Sequence, residues 1–420
     1  MMVHIETESK HEIKVLYINA LYWGGGAEKI ARQLYSGAKE YGFACYFISG
    51  RYQENVPREV KVIYNSFFER AVSVLAAIPN HNFLYRTRIA RREIIHFIKK
   101  EGIDIVHFHN MHGNYFGPED IDGIRKACPN IMVTMHDMWM LTGCCPYGMK
   151  CEEWHYGEDC RKCYGNEWLK HGVKNAGKYL LCKMNSYSNK NILFVSPSKW
   201  LAECCNKSYL KNEKIQVIPN GVNTTVYHPL DKGKLRDKYG IASKKHIIMI
   251  AANNVKHPYK GFQYLQQALN RINNKENYCL LVVGNDIKEI QDMGYQIFSP
   301  GYISDEKIMN EMYALSDVFV SVSIADNFPL VVLESMAAGT PVIAFRTGGI
   351  PEIVSKEVGW LVEQRDVDSL TNTIEKVFID DTEYIRKQMK CREYIMNNFS
   401  EELMLRKYAE LYQELYEASV

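Results

Sequence analysis

The sequence predicts an α/β protein built on two doubly wound parallel sheets, one in each half of the chain. Three observations carry this expectation. Short, nearly continuous apolar runs, the pattern of strands buried on both faces, alternate with longer stretches of helical periodicity. Several runs end directly in glycine-rich or histidine-containing turns, as Ile13 to Asn19 does before Gly24-Gly25-Gly26. A length of 420 residues suits two domains of ordinary size, or three smaller ones.

Composition excludes several classes. Apolar residues make up 46% and charged residues 24%, ordinary values for a soluble globular protein. A net charge of +2 implies no bulk polyanion, so no nucleic-acid partner is expected. The first residues, MMVHIETESKHEIK, are charged and lack the apolar core of a signal peptide. No run of about 18 apolar residues is present to span a membrane. The expected compartment is the cytoplasm, where the 12 cysteines are thiols or metal ligands rather than disulfides.

The first strand, 13–19, runs into Trp23-Gly24-Gly25-Gly26-Ala27-Glu28 and a helix over 27–41. Strand, glycine turn and helix let backbone approach a phosphate closely. A merely tight turn has the same composition. The turn is neither GxGxxG nor a P-loop. Residues 44–49 form a second strand. The stretch 67–100 is helical, broken at Pro79-Asn80, and carries Arg86, Arg88, Arg91, Arg92, Lys99 and Lys100 among large apolar residues. That composition suits either an anionic membrane surface or the solvated face of a packed helix. Strands at 104–110 and 131–134 end in His109 and in His136-Asp137; open α/β sheets put their sites at such strand ends, although a lone histidine is more often structural.

Cys145, Cys151, Cys160 and Cys163 follow in a polar stretch, with Cys144 and His155 as spare ligands. Four thiolates can close a tetrahedral structural zinc shell, and the final Cys-x2-Cys has suitable spacing. A loop of unliganded thiols is the alternative. Residues 192–198 read as a strand, and Pro219-Asn220-Gly221 as a linker between the halves.

In the second half, 246–252 is a strand and Lys260-Gly261 opens a helix, a position suited to a phosphate and equally to a solvated lysine. Strands follow at 278–285, 296–300 and 317–322, with a helix over 304–315. The most informative stretch is IADNFPLVVLESMAAGTPVIAFRTGGIPEIV, residues 324–354. Asn327 is the expected cap of a helix with Pro329 in its first turn. Gly339 stops that helix, 342–345 is a buried strand, and Gly348-Gly349 opens another helix. Two helix N-termini beside one strand end favour an anion. Asp326 lies before the first of these helices and Glu334 about two turns into it, where both can accept hydrogen bonds from sugar hydroxyls; an ordinary first-turn acid and a solvated one are the alternative. From Thr382 the chain reads as helical, broken at Phe399-Ser400.

The 324–354 stretch resembles the acidic donor-binding motif of retaining GT-B-fold glycosyltransferases of the family 4 type, which act in bacterial polysaccharide and lipid glycosylation. The usual pattern is Glu, seven residues, Glu, then Thr-Pro-Val. Here Asp326 stands at the first position and Glu334 at the second. The Gly25-Gly26-Ala27-Glu28 turn, His109, His136-Asp137-Met138-Trp139, the Pro-Asn-Gly turn and Lys260-Gly261 match further motifs in order. The family's Arg after the first strand of the second half is absent. Ala252-Asn253-Asn254 takes its place, leaving Lys256 or His257 as substitutes.

The resemblance implies two Rossmann-like domains, 1–218 on the acceptor side, with the Cys-rich insertion 144–163, and 219–398 binding the donor. Residues 399–420 would cross back to the first domain. It further implies that Glu334 binds ribose. Gly25, Gly26, Lys260, Asp326, Asn327, Phe328, Pro329 and Leu330 would hold the donor, with Glu28, His109 and Asp137 in the cleft. Lys260 would stabilise the leaving diphosphate, and His136 and Asp326 would position the sugar. No divalent metal is then required for catalysis. The implied donor is a UDP- or GDP-sugar and the implied acceptor a glycan or lipid-linked saccharide, at the inner face of the membrane. A non-catalytic nucleotide-sugar-binding subunit and another GT-B enzyme such as an epimerase are the alternatives. No pyridoxal-binding motif is present for a phosphorylase.

Overall fold

The computed structural model describes residues 11–64, 84–112, 115–148, 151–152, 154–155, 160, 176–242, 245–251, 257–284, 288 and 290–419. Two parallel sheets form its frame. The first contains β1 (Lys14–Asn19), β2 (Ala44–Arg51), β3 (Lys61–Tyr64), β4 (Ile105–Phe108), β5 (Ile131–Thr134), β6 (Ile192–Ser196) and β7 (Ile215–Val217), in the order β3-β2-β1-β4-β5-β6-β7. The second contains β8 (His246–Ala251), β9 (Tyr278–Val283), β10 (Gln296–Gly301), β11 (Val318–Ser321), β12 (Val342–Phe345) and β13 (Gly359–Val362), in the order β10-β9-β8-β11-β12-β13. The α/β class and the doubly wound order read from the sequence both hold. Each sheet changes direction once, at β1/β4 and at β8/β11.

Burial on both faces explains the central strands. Tyr278–Val283, Val318–Ser321 and Val342–Phe345 are buried along their whole lengths. Helix Phe262–Arg271 covers one face of the second sheet with Phe262, Leu265, Ala268 and Leu269. Helix Val367–Lys376, missed in the sequence, adds Val367, Leu370 and Ile374 to the same core.

By packing, the chain forms two compact units. One comprises 1–135, 185–195 and 405–420; the other comprises 136–184 and 196–404. The changeover between sheets falls between Val217 and His246. In the first unit, helix Glu401–Glu417 contributes Tyr408 and Tyr412, both buried. The Tyr412 hydroxyl lies 2.8 Å from His107 Nδ1. The other ring nitrogen, Nε2, lies 2.8 Å from Thr134 Oγ1, which is 2.9 Å from the Tyr408 hydroxyl.

The helix expected over 67–100 is described from Leu84 to Glu101; the stretch before it lies outside the described residues. Its buried stripe is Ala90, Ile94 and Ile98, so this apolar face belongs to the protein core. The helix expected to Tyr41 ends at Gly37, followed by a 3-10 turn over Ala38–Tyr41. Among the described residues no helix is long and apolar enough to cross a membrane.

Candidate active site

The turn at Lys260 is built by one glycine. Lys260 ends a one-turn 3-10 helix, Pro258–Lys260, and does not itself open the following helix. Gly261, at φ +67°, caps helix Phe262–Arg271. A Cβ there would lie 1.9 Å from the Val322 carbonyl oxygen, so only glycine fits. The loop after β11 is tied to the same turn, because the Ile324 amide donates to the Tyr259 carbonyl at 2.8 Å. These constraints bring Lys260 and Asp326 together across the β8/β11 switch point, where such sheets bind ligands. Lys260 Nζ lies 3.2 Å from Asp326 Oδ2, with side-chain exposures of 30% and 15%. The Asp326 charge raises the lysine pKa, so its ammonium persists at neutral pH. His257 is driven the other way, first by burial and then by Lys260. Asn253, Asn254 and Lys256 lie outside the described residues.

Asn327 does not cap the next helix. Pro329 occupies the cap of Leu330–Ala337 without a side-chain bond, because the Asn327 amide is engaged elsewhere. Its oxygen accepts from Ser198 Oγ at 2.6 Å, and its nitrogen donates to the His136 carbonyl at 3.1 Å. The Phe328 carbonyl accepts from Asn220 Nδ2 at 3.0 Å, so the residue read as a linker also braces this loop. Gly348, at φ +51°, packs so closely that a Cβ would lie 1.9 Å from the Asp326 carbonyl oxygen. The helix it precedes, Ile350–Ile353, is a single turn, so the anion argument rests on Leu330–Ala337. Glu352 instead accepts from the amides of Lys199 and Trp200, both at 2.9 Å, at the start of helix Lys199–Asn206.

Glu334 is 6% exposed, and the Tyr313 hydroxyl donates to it at 3.1 Å. Burial, then the neighbouring Glu334 charge, pushes the tyrosine pKa well up. The two acids of the motif thus have separate partners: a lysine for Asp326 and a phenol for Glu334.

After β5, Asp137 caps a 3-10 turn, Met138–Met140, by accepting from the Trp139 amide at 2.8 Å. Lys183, not singled out in the sequence, is buried behind this turn. It donates to the carbonyls of Trp139, Thr142 and Gly143 at 2.5, 2.9 and 3.4 Å. Burial lowers its pKa to about 7. A lone lysine among Leu180, Leu181 and Cys182 was the available signal. Nearby, the Gly143 amide donates to Cys160 Sγ at 3.2 Å. Among the described residues no three His, Cys, Asp or Glu side chains form a metal-holding group; Cys163 lies outside them.

Within the first unit, Gly25 caps helix Gly26–Gly37, and both glycines are exposed. Glu28 accepts from Asn110 Nδ2 at 2.9 Å. His109, expected at a cleft edge, is only 2% exposed. Its ring packs 4.3 Å from His107 and 6.3 Å from Tyr17, in the polar core built around Tyr412.

Two family models match successive segments: Glycosyltransferase Family 4 over residues 24–226 and Glycosyl transferases group 1 over residues 231–397. WcaC of Escherichia coli (strain K12), named for a glycosyl transferase role in colanic acid biosynthesis, is 23% identical over 433 residues. The alignment covers 96% of this chain and 100% of that protein. The UDP-Gal:alpha-D-GlcNAc-diphosphoundecaprenol alpha-1,3-galactosyltransferase of Escherichia coli is 24% identical over 428 residues, covering 97% of this chain and 98% of that one. The solved sucrose-phosphate synthase of Thermosynechococcus elongatus superposes with a TM-score of 0.75 at 18% identity, over 96% of this chain and all of that one. With two parallel sheets in the matching arrangement, and both models in order along the sequence, this chain belongs to the GT-B glycosyltransferases and is an enzyme that transfers sugars.

Proposed function

We propose that the protein transfers a sugar, with retention of configuration, from a UDP-sugar to a lipid-linked saccharide in polysaccharide biosynthesis. The observation that carries this reading is the Lys260–Asp326 pair at the β8/β11 switch point. It provides a cation for a diphosphate next to a carboxylate for sugar hydroxyls. The choice of UDP and of a lipid-linked acceptor draws on the galactosyltransferase relative.

In this reading the bond from the sugar C1 to the diphosphate oxygen breaks, and its electron pair leaves with the diphosphate. Lys260 and the amides of the first turn of Leu330–Ala337 stabilise that charge. The acceptor oxygen attacks C1 from the same face, and its proton passes to the departing phosphate oxygen. Asp326 and His136 hold the sugar, and Glu334 accepts from the ribose hydroxyls. A structural zinc in the Cys145, Cys151, Cys160 and Cys163 segment forms part of the same proposal. The amide donated to Cys160 Sγ and the buried Lys183 nearby suit thiolate charge. A lipid-linked acceptor would bring the exposed Arg92, Lys99 and Lys100 to the membrane surface at its cytoplasmic face.

Calorimetry with UDP and GDP, followed by release of UDP from a panel of UDP-sugars, tests the reading. Tight UDP binding with slow acceptor-independent hydrolysis is expected. Binding of GDP alone, or UDP-sugar binding without turnover on any acceptor, overturns the donor or the catalytic part respectively.

A further inference from the structure

Helix Asp381–Asn398 has two faces of different kinds. Its inner face, marked by the buried Lys387, Cys391 and Ile395, packs on helix Leu330–Ala337. Two of its cations are committed inward. Lys387 donates to the carbonyls of Lys356 and Gly359, and Arg392 donates to those of Tyr227 and Ala337 at 3.0 and 2.7 Å. The opposite face carries Ile385, Met389 and Met396, which are 50%, 74% and 45% exposed. Ile379, 77% exposed, extends the apolar surface just before the helix begins.

Spacing separates this surface from scattered exposed side chains, which are normal on any protein. Steps of four and seven residues put Ile385, Met389 and Met396 within about 40° of one another around a helix of 3.6 residues per turn. They form a single stripe roughly 16 Å long at a rise of about 1.5 Å per residue. Such spacing is the seam of a helix that packs against another helix. Among the described residues no element covers it.

The flanking charges identify the second helix. Arg386 and Glu393, both exposed, lie one heptad apart along the same edge of the stripe, on either side of Met389. An identical helix running antiparallel, related by a two-fold axis close to Met389, would set Ile385 against Met396 of the partner subunit. It would also set Arg386 beside Glu393 of the partner subunit, and the reciprocal contacts follow by symmetry. The helix is complementary to itself in both shape and charge. An anionic membrane fits less well. The outward cations Arg386 and Lys390 are balanced by Asp381 and Glu393, so the face lacks the basic excess that such a surface selects.

We propose that this chain forms a homodimer through helix Asp381–Asn398, paired antiparallel along the stripe of Ile385, Met389 and Met396.

Sedimentation velocity of the full chain over a dilution series tests this. Wild-type protein should sediment as a dimer that dissociates on dilution. Met389→Glu should be monomeric, because it puts two carboxylates into the seam near the axis. Arg386→Glu or Glu393→Arg alone turns two attractive pairs into repulsive ones and should weaken association roughly tenfold. Arg386→Glu combined with Glu393→Arg should restore it. All these positions are exposed, and unchanged melting temperatures should show that the variants fold. Wild-type protein that is monomeric at every concentration overturns the proposal, as does a dimer that Met389→Glu leaves intact. Single reversals that the double exchange fails to rescue overturn the antiparallel pairing. Phosphatidylglycerol vesicles supply the competing arm: a monomer that binds them, and loses that binding with Met389→Glu, makes the stripe a membrane contact instead.

Discussion

Replacing Lys260 by alanine separates two contributions that the structure superimposes. Lys260 and Asp326 lie 3.2 Å apart and are largely shielded. At an effective dielectric constant of about 20 their attraction is roughly 5 kcal/mol before desolvation is counted. Removing the lysine leaves a carboxylate that is 15% exposed without this partner. The expected loss of folding stability is about 1–3 kcal/mol. The catalytic loss is distinct, because negative charge grows on the diphosphate as the glycosidic bond breaks. By analogy with a lost oxyanion donor, Lys260→Ala should cost about 2–4 kcal/mol of transition-state stabilisation, or roughly 30- to 900-fold in kcat/KM, mostly in kcat. Lys260→Arg should restore part of it. Asp326→Asn added to Lys260→Ala should recover stability without recovering turnover, a non-additivity that a double-mutant cycle measures. The sign of the pH effect follows from the raised lysine pKa. Its stabilising contribution is complete below the ordinary lysine value of 10.5 and fades only as pH rises through the higher folded value. Loss of this cation should therefore not limit activity between pH 6 and 9. The assay is steady-state kinetics with a turned-over UDP-sugar, alongside urea denaturation. If Lys260→Ala leaves kcat intact and raises only the donor KM, the lysine binds the ground state and the catalytic assignment fails.

Glu334→Gln should weaken UDP binding by about 1–3 kcal/mol, the range for charge-assisted hydrogen bonds; unchanged calorimetric affinity would remove it from the ribose. Metal analysis of purified protein should find about one zinc per chain, and chelation should lower the melting temperature. Fully active, metal-free protein would end the zinc proposal. Tyr412→Phe should destabilise the fold by about 1–3 kcal/mol, because it strips the buried His107 of a partner 2.8 Å away. Equal urea midpoints for mutant and wild type would contradict that network.

The frame was legible because its central strands are apolar on both faces. Val342–Phe345 and Ile131–Thr134 coincide with the runs read from sequence, and Lys14–Asn19 starts one residue later than expected. Lys61–Tyr64 and Gly359–Val362 went unseen. Each is a four-residue edge strand, where half the hydrogen bonding and much of the burial are missing. Within the site, residue types at strand ends pointed to Lys260 and Asp326, but periodicity could not show their pairing, which depends on two glycines at positive φ. Asn327 misled because an Asn before an apolar helical run has the signature of a cap. Its actual partners, Ser198 and His136, are 129 and 191 residues away in sequence. His109 allowed both a cleft and a structural reading, and nothing local reveals the C-terminal tyrosines of the core in which it is buried.

Those tyrosines have a consequence for biosynthesis. The first compact unit opens with β1 but draws residues 405–420 into itself, where Tyr408 and Tyr412 are buried against β4 and β5. On the ribosome, synthesis runs from the N-terminus at about 5–20 residues per second. His107 and Thr134 therefore emerge long before the hydroxyls that satisfy them. The unit whose strands are made first therefore waits for helix Glu401–Glu417, and until that helix has emerged His107 and Thr134 lack these two phenol partners.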